Sequence, residues 1–365
     1  MTQTVVDETR AGHEVVALDT IKQVERPAWN GVVDRTAESS LFHRYEWLRA
    51  VENGLPYTPR HLLVRKDGNV IGVFPNFVRK LPHTPFYRLS SVYPGYGGPL
   101  LPTDTRETLP LTVKAVRELC TGRSIVHEIR ACDNRYLRYH TAFQAHGYRP
   151  YRGECRFTLD LTKSYEETLD AMSNSRRKAI RRGKDQEYEI VEEELTPENV
   201  KRFHRVYRRV MERVDGEVHP SAFFEELLEL RERLLLITIR VDGEYAGGMI
   251  ELLNDEQSTI YGFKLAVPSE YFSHQASELL HDHIIGWGIE SEYETYDFGR
   301  ADPDFEDGLF MFKAGFGGEV VPTLIWERGC NFLWPPVRVG RRKYLSTGWT
   351  EEGLFERAMR RFGNG

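Results

Sequence analysis

The sequence has few cysteines and no segment apolar enough to span a membrane. Its 365 residues include four cysteines, none of which has the C-x-x-C spacing of a metal or redox site. Free thiols in a reducing compartment are therefore expected. No run approaches the roughly 18 apolar residues of a transmembrane helix, and the N-terminus MTQTVVDETRAGHEVV has no apolar signal core. These absences predict a cytoplasmic protein, with peripheral contact at the inner face of a membrane left open.

Nucleotide-binding, hydrolase and metal motifs are also missing. The sequence has no G-x-G-x-x-G after a predicted strand, no G-x-x-x-x-G-K-S/T and no G-x-S-x-G. His274, His281 and His283 lie on or near one predicted helix, but the last two occupy different faces and no second ligand cluster joins them. No metal site is predicted. The formal net charge of −6 argues against a general nucleic-acid binder, and no DNA partner is expected.

The length and the order of predicted elements indicate two domains. A chain of 365 residues exceeds one ordinary core. Each half contains a helix, a hairpin around an Asp-Gly turn (Asp67-Gly68 and Asp242-Gly243), and then a strand, a helix and a strand. This repeated order predicts a pseudo-duplication, with an N-terminal domain over 1–154, a C-terminal domain over 155–335 and a helical extension over 336–365.

Four details of this interpretation bear on the structure. The first 15 or so residues are expected to be a frayed lead-in. One helix is predicted over 164–186, with Gly183 at its end. A second hairpin is predicted over 234–254, and the last strand over 319–329.

Two segments carry a resemblance to a known family. TYDFGRADPDFEDGLFMFKAGFGGEVV (295–321) and VDGEYAGG (241–248), together with the order of elements, resemble the GNAT acyltransferases in tandem. The arrangement is similar to that of the Fem-type peptidyltransferases and their FemAB-like or BioF2-like relatives. EWLRAV in the first half and the Arg-Arg-Lys helix match more weakly. The resemblance covers roughly residues 40 to 335 and implies an α/β fold of two tandem GNAT-like domains, each a mixed central sheet flanked by helices.

The resemblance implies acyl transfer to an amine, with no bound cofactor. Fem-type enzymes move an aminoacyl group from aminoacyl-tRNA to a peptidoglycan precursor, and wider relatives transfer acyl groups, including from acyl-CoA, into envelope polysaccharides or lipids. The expected donor is therefore aminoacyl-tRNA or acyl-CoA, and the expected acceptor is an amine-bearing envelope precursor. Other GNAT enzymes hold the CoA pyrophosphate on a glycine-containing loop before a helix. The matching segment VPSEYFSHQASELL has no glycine, which favours aminoacyl-tRNA or another carrier. The alternative is a non-catalytic module that binds an anionic glycolipid, nucleic acid or protein partner.

Three residues of the C-terminal domain are the catalytic candidates. Acyl transfer to an amine needs a neutral amine and a donor to the developing oxyanion. Lys313 aligns with the family's phenylalanine–lysine pair and would supply that donor, while the alternative is a surface lysine. Tyr261 would contact the acceptor or the acyl carbonyl, or is a core tyrosine. Asp297 would take a proton from the amine or hold Arg300, or is a turn residue.

The substrate-binding candidates are spread over both halves. Arg213 resembles the family arginine that grips an anionic acceptor phosphate, for which a planar guanidinium is well suited. Phe312 would shape the pocket, and Arg300 would contact substrate. Tyr93 and Tyr96 lie in a Gly/Pro-rich loop that would wall the acceptor cleft. The plain alternatives are a solvated helix end for Arg213 and a tight turn for the loop.

The segment SNSRRKAIRRGK (173–184) is a dense basic helix in an acidic chain. Arg177, Arg181 and Lys184 share one face at i, i+4 and i+7. They are predicted to bind phosphates of tRNA, of a lipid pyrophosphate carrier or of an anionic membrane. The alternative is that the helix pairs with the acidic stretch EYEIVEEEL (187–195) or is a solvated face, since cations also suit a helix C-terminus.

Overall fold

The computed structural model describes residues 3–8, 12–81 and 84–345. Three sheets and their helices form two compact units. The first unit contains Met1–Leu48, Pro56–Tyr151 and Leu324–Gly365, and the second contains Arg49–Leu55 and Arg152–Thr323. In the described part of the chain, the helices are all too short or too polar to cross a bilayer.

The first part of the chain supplies most of the first unit. Its elements are β1 (Gln3–Glu8), β2 (His13–Leu18), α1 (Arg26–Asp34), α2 (Tyr45–Gly54), β3 (Thr58–Pro59), β4 (His61–Lys66), β5 (Asn69–Phe74), β6 (Phe77–Lys80), β7 (Tyr87–Ser90), α3 (Thr105–Leu119), β8 (Ser124–Ala131), α4 (His140–Ala145) and β9 (Arg149–Tyr151).

The second part forms the second unit and then returns to the first. Its elements are β10 (Cys155–Asp160), α5 (Tyr165–Ala171), α6 (Asn174–Lys184), β11 (Tyr188–Glu193), α7 (Pro197–Arg213), α8 (Ser221–Glu226), β12 (Leu234–Val241), β13 (Glu244–Asn254), β14 (Thr259–Ala266), α9 (Ala276–Glu290), β15 (Thr295–Ala301), α10 (Gly308–Ala314), β16 (Glu319–Pro322), β17 (Leu324–Gly329) and α11 (Trp334–Leu345).

The first unit has two sheets. One has the strand order β1-β2-β4-β5, and the other has the order β3-β6-β7-β8-β17-β9. The predicted hairpin is present, because β4 and β5 pair antiparallel around Asp67 and Gly68, both at positive φ. The expectation of a frayed lead-in is wrong for the described residues. Strand β2 pairs with β4 and buries Val15, Val16 and Leu18, which gives this segment a place in the sheet.

The second unit is built on one seven-stranded sheet of order β11-β12-β13-β14-β15-β10-β16. All neighbours pair antiparallel except β14 and β15, which are parallel. Helices α6 and α9 pack on each other and join the strands in one apolar core that includes Phe157, Ile237 and Leu280. Helix α7 packs on β13 and β14 and contributes Phe203 and Tyr207 to an aromatic group with α8. The predicted hairpin over 234–254 is present as β12 and β13.

The single helix predicted over 164–186 is in fact two helices. Helix α5 ends at Ala171, and Ser173 then caps α6 by accepting a hydrogen bond from the backbone N–H of Arg176. Gly183 does not end the helix but lies inside α6, where a Cβ atom would come within 2.9 Å of Leu279 Cγ. The glycine therefore permits close packing of α6 on α9 rather than chain reversal.

The last strand predicted over 319–329 is divided between the two units. Strand β16 is an edge strand of the second unit, whereas β17 pairs with β8 and β9 of the first. The second unit therefore ends at Thr323, and the predicted domain over 155–335 differs from this division. The physical reason is that β8 has an open edge opposite β7, which β17 fills while burying Ile325 and Trp326. Residues 346–365 of the predicted extension lie outside the described residues.

Candidate active site

The parallel pair in the second unit separates partway along its length. Strands β14 and β15 pair at three positions, the last being Tyr261 with Asp297, although they continue to Ala266 and Ala301. On its other side, β14 pairs Gly262 with Glu251 but Lys264 with Ile250, which makes Phe263 an extra residue that bends the strand. The carboxyl ends of parallel strands are where α/β sheets bind ligands. The gap between these two strands is the candidate active site.

Two glycines lie where the strands part. Gly299 has φ of +75°, and a Cβ atom on it would come within 2.8 Å of the carbonyl oxygen of Gly262. Both the backbone conformation and the close approach therefore require glycine at 299. This contact fixes the closed end of the gap.

Lys313 is buried beside the gap. It lies on α10, whose N-cap Asp307 accepts a hydrogen bond from the backbone N–H of Phe310 at 2.8 Å. The Lys313 side chain is 8% exposed, and its Nζ donates to the carbonyl oxygen of Arg300 at 2.6 Å. Burial lowers the pKa of Lys313 to about 8, with the charge of Asp297 acting in the opposite direction. An amine with such a pKa is mostly charged at neutral pH, yet it exchanges its proton readily.

The carboxylate of Asp297 is held by neighbours in the sheet. It forms an ion pair with Arg156 of β10 and accepts a hydrogen bond from the backbone N–H of Gly299 at 2.8 Å. Asp297 is 1% exposed. These contacts make Asp297 a fixed negative charge near Lys313.

The side chain of Tyr261 is buried, and its hydroxyl donates to Gln257 Oε1 at 3.3 Å. Gln257 lies just before β14, so this contact joins the Tyr261 hydroxyl to the segment that leads into the strand. Arg300 is half-exposed and contacts Glu154 at 3.4 Å and Asp302 at 3.5 Å. The structure therefore places Arg300 at the rim, among carboxylates.

A chain of buried polar groups lies behind Lys313 and was not predicted from the sequence. Tyr296 contacts His281 Nδ1 at 2.9 Å and Glu251 Oε1 at 3.4 Å. Burial raises the pKa of Glu251 well above its ordinary value and lowers the pKa of His281 to about 3. The His281 imidazole is therefore neutral at pH 7, and burial shifts Glu251 toward its neutral form. The available signal was a glutamate inside the apolar run of β13, which is unusual for a strand buried on both sides.

The first arginine of the basic helix is also part of this region. Arg176 is 8% exposed and pairs with Glu278 at 2.5 Å. It donates to the carbonyl oxygen of Phe312 at 2.9 Å, and its guanidinium lies 4.2 Å from the Phe312 ring and 4.4 Å from the Phe316 ring. Phe312 thus packs between Arg176 and the aromatic core, and Arg176 anchors α10.

The three predicted phosphate-binding cations of α6 have different environments. Lys184 pairs with Asp282 at 2.7 Å and donates to the Tyr165 hydroxyl at 3.0 Å. Arg177 is half-buried and contacts Asp170 at 3.6 Å. Arg181 is exposed. The predicted stripe is therefore partly engaged with the body of the second unit.

The remaining predicted residues lie elsewhere. Arg213 is at the end of α7, with its guanidinium 5.6 Å from the Phe272 ring. Tyr93 and Tyr96 belong to the first unit, where the Arg79 guanidinium lies 3.4 Å from the Tyr93 ring and Tyr96 is buried. The structure brings together Lys313, Asp297, Phe312 and Arg300 in the second unit.

The comparisons with known proteins agree with this geometry. Residues 171–307 match the family model described as acetyltransferase (GNAT) domain. A search of the curated proteins found no match. Among solved structures the chain is similar to FemX, with a TM-score of 0.63 and 14% identity over 83% of this chain and 96% of that one. It is also similar to a tandem GNAT protein from the clavulanic acid biosynthesis pathway, with a TM-score of 0.55 and 14% identity over 87% of this chain and 99% of that one. It is similar as well to L-PGS from Bacillus licheniformis, with a TM-score of 0.51 and 14% identity over 83% of this chain and 92% of that one.

The fold and the site therefore define a GNAT-type acyltransferase architecture, present twice in tandem. In fold the chain is similar to FemX as well as to a tandem GNAT protein, which confirms the fold class expected from the sequence and agrees with the resemblance to FemAB-like GNAT proteins at the level of fold.

Proposed function

We propose that this protein is an N-acyltransferase that moves an acyl or aminoacyl group to an amine acceptor in the gap between β14 and β15. The observation that carries the proposal is Lys313, a buried amine beside the point where the two strands part, with a pKa lowered to about 8. Perturbed ionisable groups in a cleft are typical of catalytic sites.

The chemistry requires one bond to form and one to break. The neutral acceptor amine attacks the acyl carbonyl, an oxyanion develops, and the bond from the acyl carbon to the donor oxygen or sulfur then breaks. The Lys313 ammonium would stabilise the oxyanion. With a pKa of about 8 it would also give a proton to the leaving group and regain one from the amine.

Asp297 has a supporting part in this scheme. Its charge favours the ammonium form of Lys313 against burial. Because Arg156 and the Gly299 N–H occupy its oxygens, the carboxylate stays in place as Lys313 changes protonation state. We assign Asp297 to the electrostatics of the site rather than to direct proton abstraction.

We propose aminoacyl-tRNA or another non-CoA carrier as the donor. The segment between β14 and α9 is a 3-10 helix, Ser269–His274, preceded by Pro268 and followed by Gln275 in the left-handed conformation. In this turn the Gln275 N–H donates to the Phe272 carbonyl oxygen at 3.1 Å, and the Tyr271 N–H donates to that of Pro268 at 3.0 Å. Internal bonding of these donors, and the absence of glycine, do not suit a cradle for a pyrophosphate.

We propose an amine-bearing cell-envelope precursor as the acceptor, with the reaction on the cytoplasmic side of the membrane. The likeness in fold to FemX supports this choice. The exposed cations of α6, which include Lys178, Arg181 and Arg182, would contact phosphates of the donor or of a membrane surface.

The test is a transfer assay on the full chain followed by mass spectrometry. Acetyl-CoA and bulk aminoacyl-tRNA would be offered in parallel, each with a nucleotide-linked muropeptide and with a lipid-linked sugar amine. We expect transfer from aminoacyl-tRNA, reduced about 10²- to 10³-fold by Lys313→Met, as for removal of one oxyanion donor. Lys313→Arg, which keeps the charge, should retain more activity than Lys313→Met.

The matched control is Lys201→Met, which removes a lysine that is 59% exposed in the same unit. Full activity of Lys313→Met in a folded protein would exclude the proposed mechanism. Transfer from acetyl-CoA but not from aminoacyl-tRNA would refute the donor assignment and keep the reaction class.

A further inference from the structure

Lys264 is a half-buried cation of the second unit that the mechanism above does not use. Its Nζ lies 4.9 Å from the Phe263 ring and 5.4 Å from the Tyr207 ring. Within the described ranges, Nζ has no hydrogen-bond acceptor and no ion-pair partner within 4 Å. Buried or half-buried lysines elsewhere in the chain do have one, as Lys313 has in the Arg300 carbonyl oxygen.

The surroundings of Lys264 form a cup of aromatic and polar groups. The Tyr207 hydroxyl donates to the Glu217 carbonyl oxygen at 3.0 Å and accepts from the His219 N–H at 3.2 Å, which holds this loop beside α7. The His219 ring packs on Phe223 at 5.4 Å, and Phe223 lies 6.2 Å from Phe263. We call Tyr207, Glu217, Phe223, Phe263 and Lys264 the lysine cup.

The electrostatics of the lysine cup favour an anion. Burial lowers the pKa of Lys264 to about 8, and the charge of Glu217 opposes that shift. An ammonium that is partly shielded from water and has gained no oxygen partner is in an unfavourable state. A carboxylate or phosphate placed within hydrogen-bond reach would relieve it, and aromatic walls would strengthen the contact by excluding water.

The lysine cup is on a strand that borders the candidate active site. Lys264 is three residues beyond Tyr261, in the part of β14 that no longer pairs with β15. Lys264 directly follows Phe263, the extra residue that bends β14. The same irregularity of the strand therefore sets the position of the Lys264 amine.

We propose that Lys264 binds a single anionic group, a carboxylate or a phosphate, of the acceptor molecule. The assignment to the acceptor rests on the proposed function. A single cation suits one small anion, whereas a tRNA donor carries a run of phosphates better matched by the exposed face of α6.

The first test needs no enzymatic activity. Lysine labelled with ¹³C at Cε would be incorporated in the full chain, and the Lys264 resonance would be assigned by its loss in Lys264→Arg. We expect saturable shifts of this resonance on addition of inorganic phosphate or acetate, and none with sodium chloride at equal ionic strength. The anion that binds more tightly indicates whether the charged group of the acceptor is a phosphate or a carboxylate. A Lys264 resonance that responds to neither anion would overturn the proposal.

The second test uses transfer kinetics. Lys264→Met keeps the length and apolar stem of the side chain, and we expect it to raise KM for an anionic acceptor about tenfold or more, with little change in kcat. Lys264→Arg should recover part of the loss. An amidated or dephosphorylated acceptor should bind both proteins alike, and equal effects on charged and neutral acceptors would contradict the assignment. If no transfer is found with any donor, the proposed function fails, while the anion titration still decides whether the cup binds an anion.

Discussion

Within the described residues, each unit has one parallel pair of strands in a mixed sheet, β7 with β8 and β14 with β15. The chain stays beside its partner strand in the first unit and separates from it in the second. In the first unit the chain leaving β7 stays beside β8, because the Ser91 N–H donates to the Glu128 carbonyl oxygen at 2.8 Å and the Gly97 N–H to that of Arg130 at 2.6 Å. In the second unit the pairing stops at Tyr261 and Asp297. The same parallel arrangement is therefore continued by backbone hydrogen bonds in the first unit and interrupted in the second, where we propose that the ligand binds.

The buried charged groups of the two units also differ. In the first unit the Glu128 carboxylate contacts Arg88 at 3.1 Å and Arg130 at 3.3 Å, forming a paired cluster. In the second unit Lys313 is buried and Lys264 is half-buried, and burial lowers the pKa of each to about 8. Paired buried ions are mainly structural, whereas ionisable groups with displaced pKa values mark sites of chemistry or binding. The two lysines are the reason why we propose the second unit as the place of acyl transfer.

The largest expected effect separates the two units by their carboxylates. Glu128→Gln removes the buried negative charge that Arg88 and Arg130 contact and should lower the free energy of unfolding by about 3–5 kcal/mol. Asp297→Asn should have a similar cost because it removes the negative charge of the ion pair with Arg156, but it should also lower kcat about tenfold or more through Lys313. Urea denaturation and transfer rates per folded molecule measure the two effects. Equal losses of kcat in both variants would break the comparison.

The next effect concerns the closed end of the gap. Gly299→Ala combines positive φ with a Cβ atom 2.8 Å from the Gly262 carbonyl oxygen, whereas Gly243→Ala has a φ of +79° and nothing within 4 Å. Both should be destabilised by about 1–2 kcal/mol through the backbone, and Gly299→Ala by at least about 1 kcal/mol more through the clash. Thermal unfolding of the two variants measures the difference, which should be accompanied by lost transfer only at 299. Equal stabilities would show that the close approach is unimportant.

A third effect is the dependence of stability on pH. Because the pKa of Lys313 is about 8 when folded and 10.5 ordinarily, the unfolded chain binds more protons between these values. The free energy of unfolding of the wild type should therefore rise with pH across this window, relative to Lys313→Met, by about 3 kcal/mol. Denaturant titrations at pH 7, 9 and 10.5 test this expectation.

Lys66 of the first unit supplies the opposite case. A hydrogen bond to Asp104 raises the pKa of Lys66. The stabilisation that Lys66 gives to the folded protein should be present below the ordinary pKa of a lysine. It should be lost as the pH rises through the raised pKa that Lys66 has in the folded protein. A Lys66→Met comparison that followed the same direction as Lys313→Met would contradict both assignments.

The smallest effect concerns the basic helix. Arg181→Glu should weaken tRNA binding and reduce the magnitude of the salt slope by about one phosphate contact. Lys184→Met should leave the slope unchanged and instead lower stability by no more than about 1 kcal/mol, because that lysine pairs with Asp282 at 2.7 Å. Fluorescence anisotropy with bulk tRNA over a range of salt concentrations measures the slope. Arg106→Glu, an exposed arginine of the first unit, is the matched control. An equal effect at Arg106 would indicate non-specific attraction.

Much of the fold was predictable because local signals agreed with the tertiary structure. The Asp-Gly turns at 67–68 and 242–243 form hairpins as expected, since both residues of each turn adopt positive φ. The helix break at Ser173 was not predicted. Serine is a strong N-cap residue, but the continuous run of helix-forming and charged residues around it favoured one long helix. The return of β17 to the first unit was missed because sequence order gives no information on which sheet has an open edge.

The candidate site was predictable only where its residues stand in the family motif. Lys313, Phe312 and Asp297 were found in that way. Glu251, Tyr296 and His281 are separated in the sequence and meet only through pairing of β13 to β15 and packing of α9. No periodicity or spacing indicates that a tyrosine bridges a glutamate and a histidine.

By itself, the sequence determined the class of fold, the tandem order of elements and the identity of the lysine in the phenylalanine–lysine pair. These features depend on short-range patterns of apolar residues, turns and a family motif. Only the tertiary structure decided that the first unit closes its parallel pair while the second opens it. It also decided that Lys313 is buried and Lys264 half-buried, because burial and partners are set by chain segments distant in sequence.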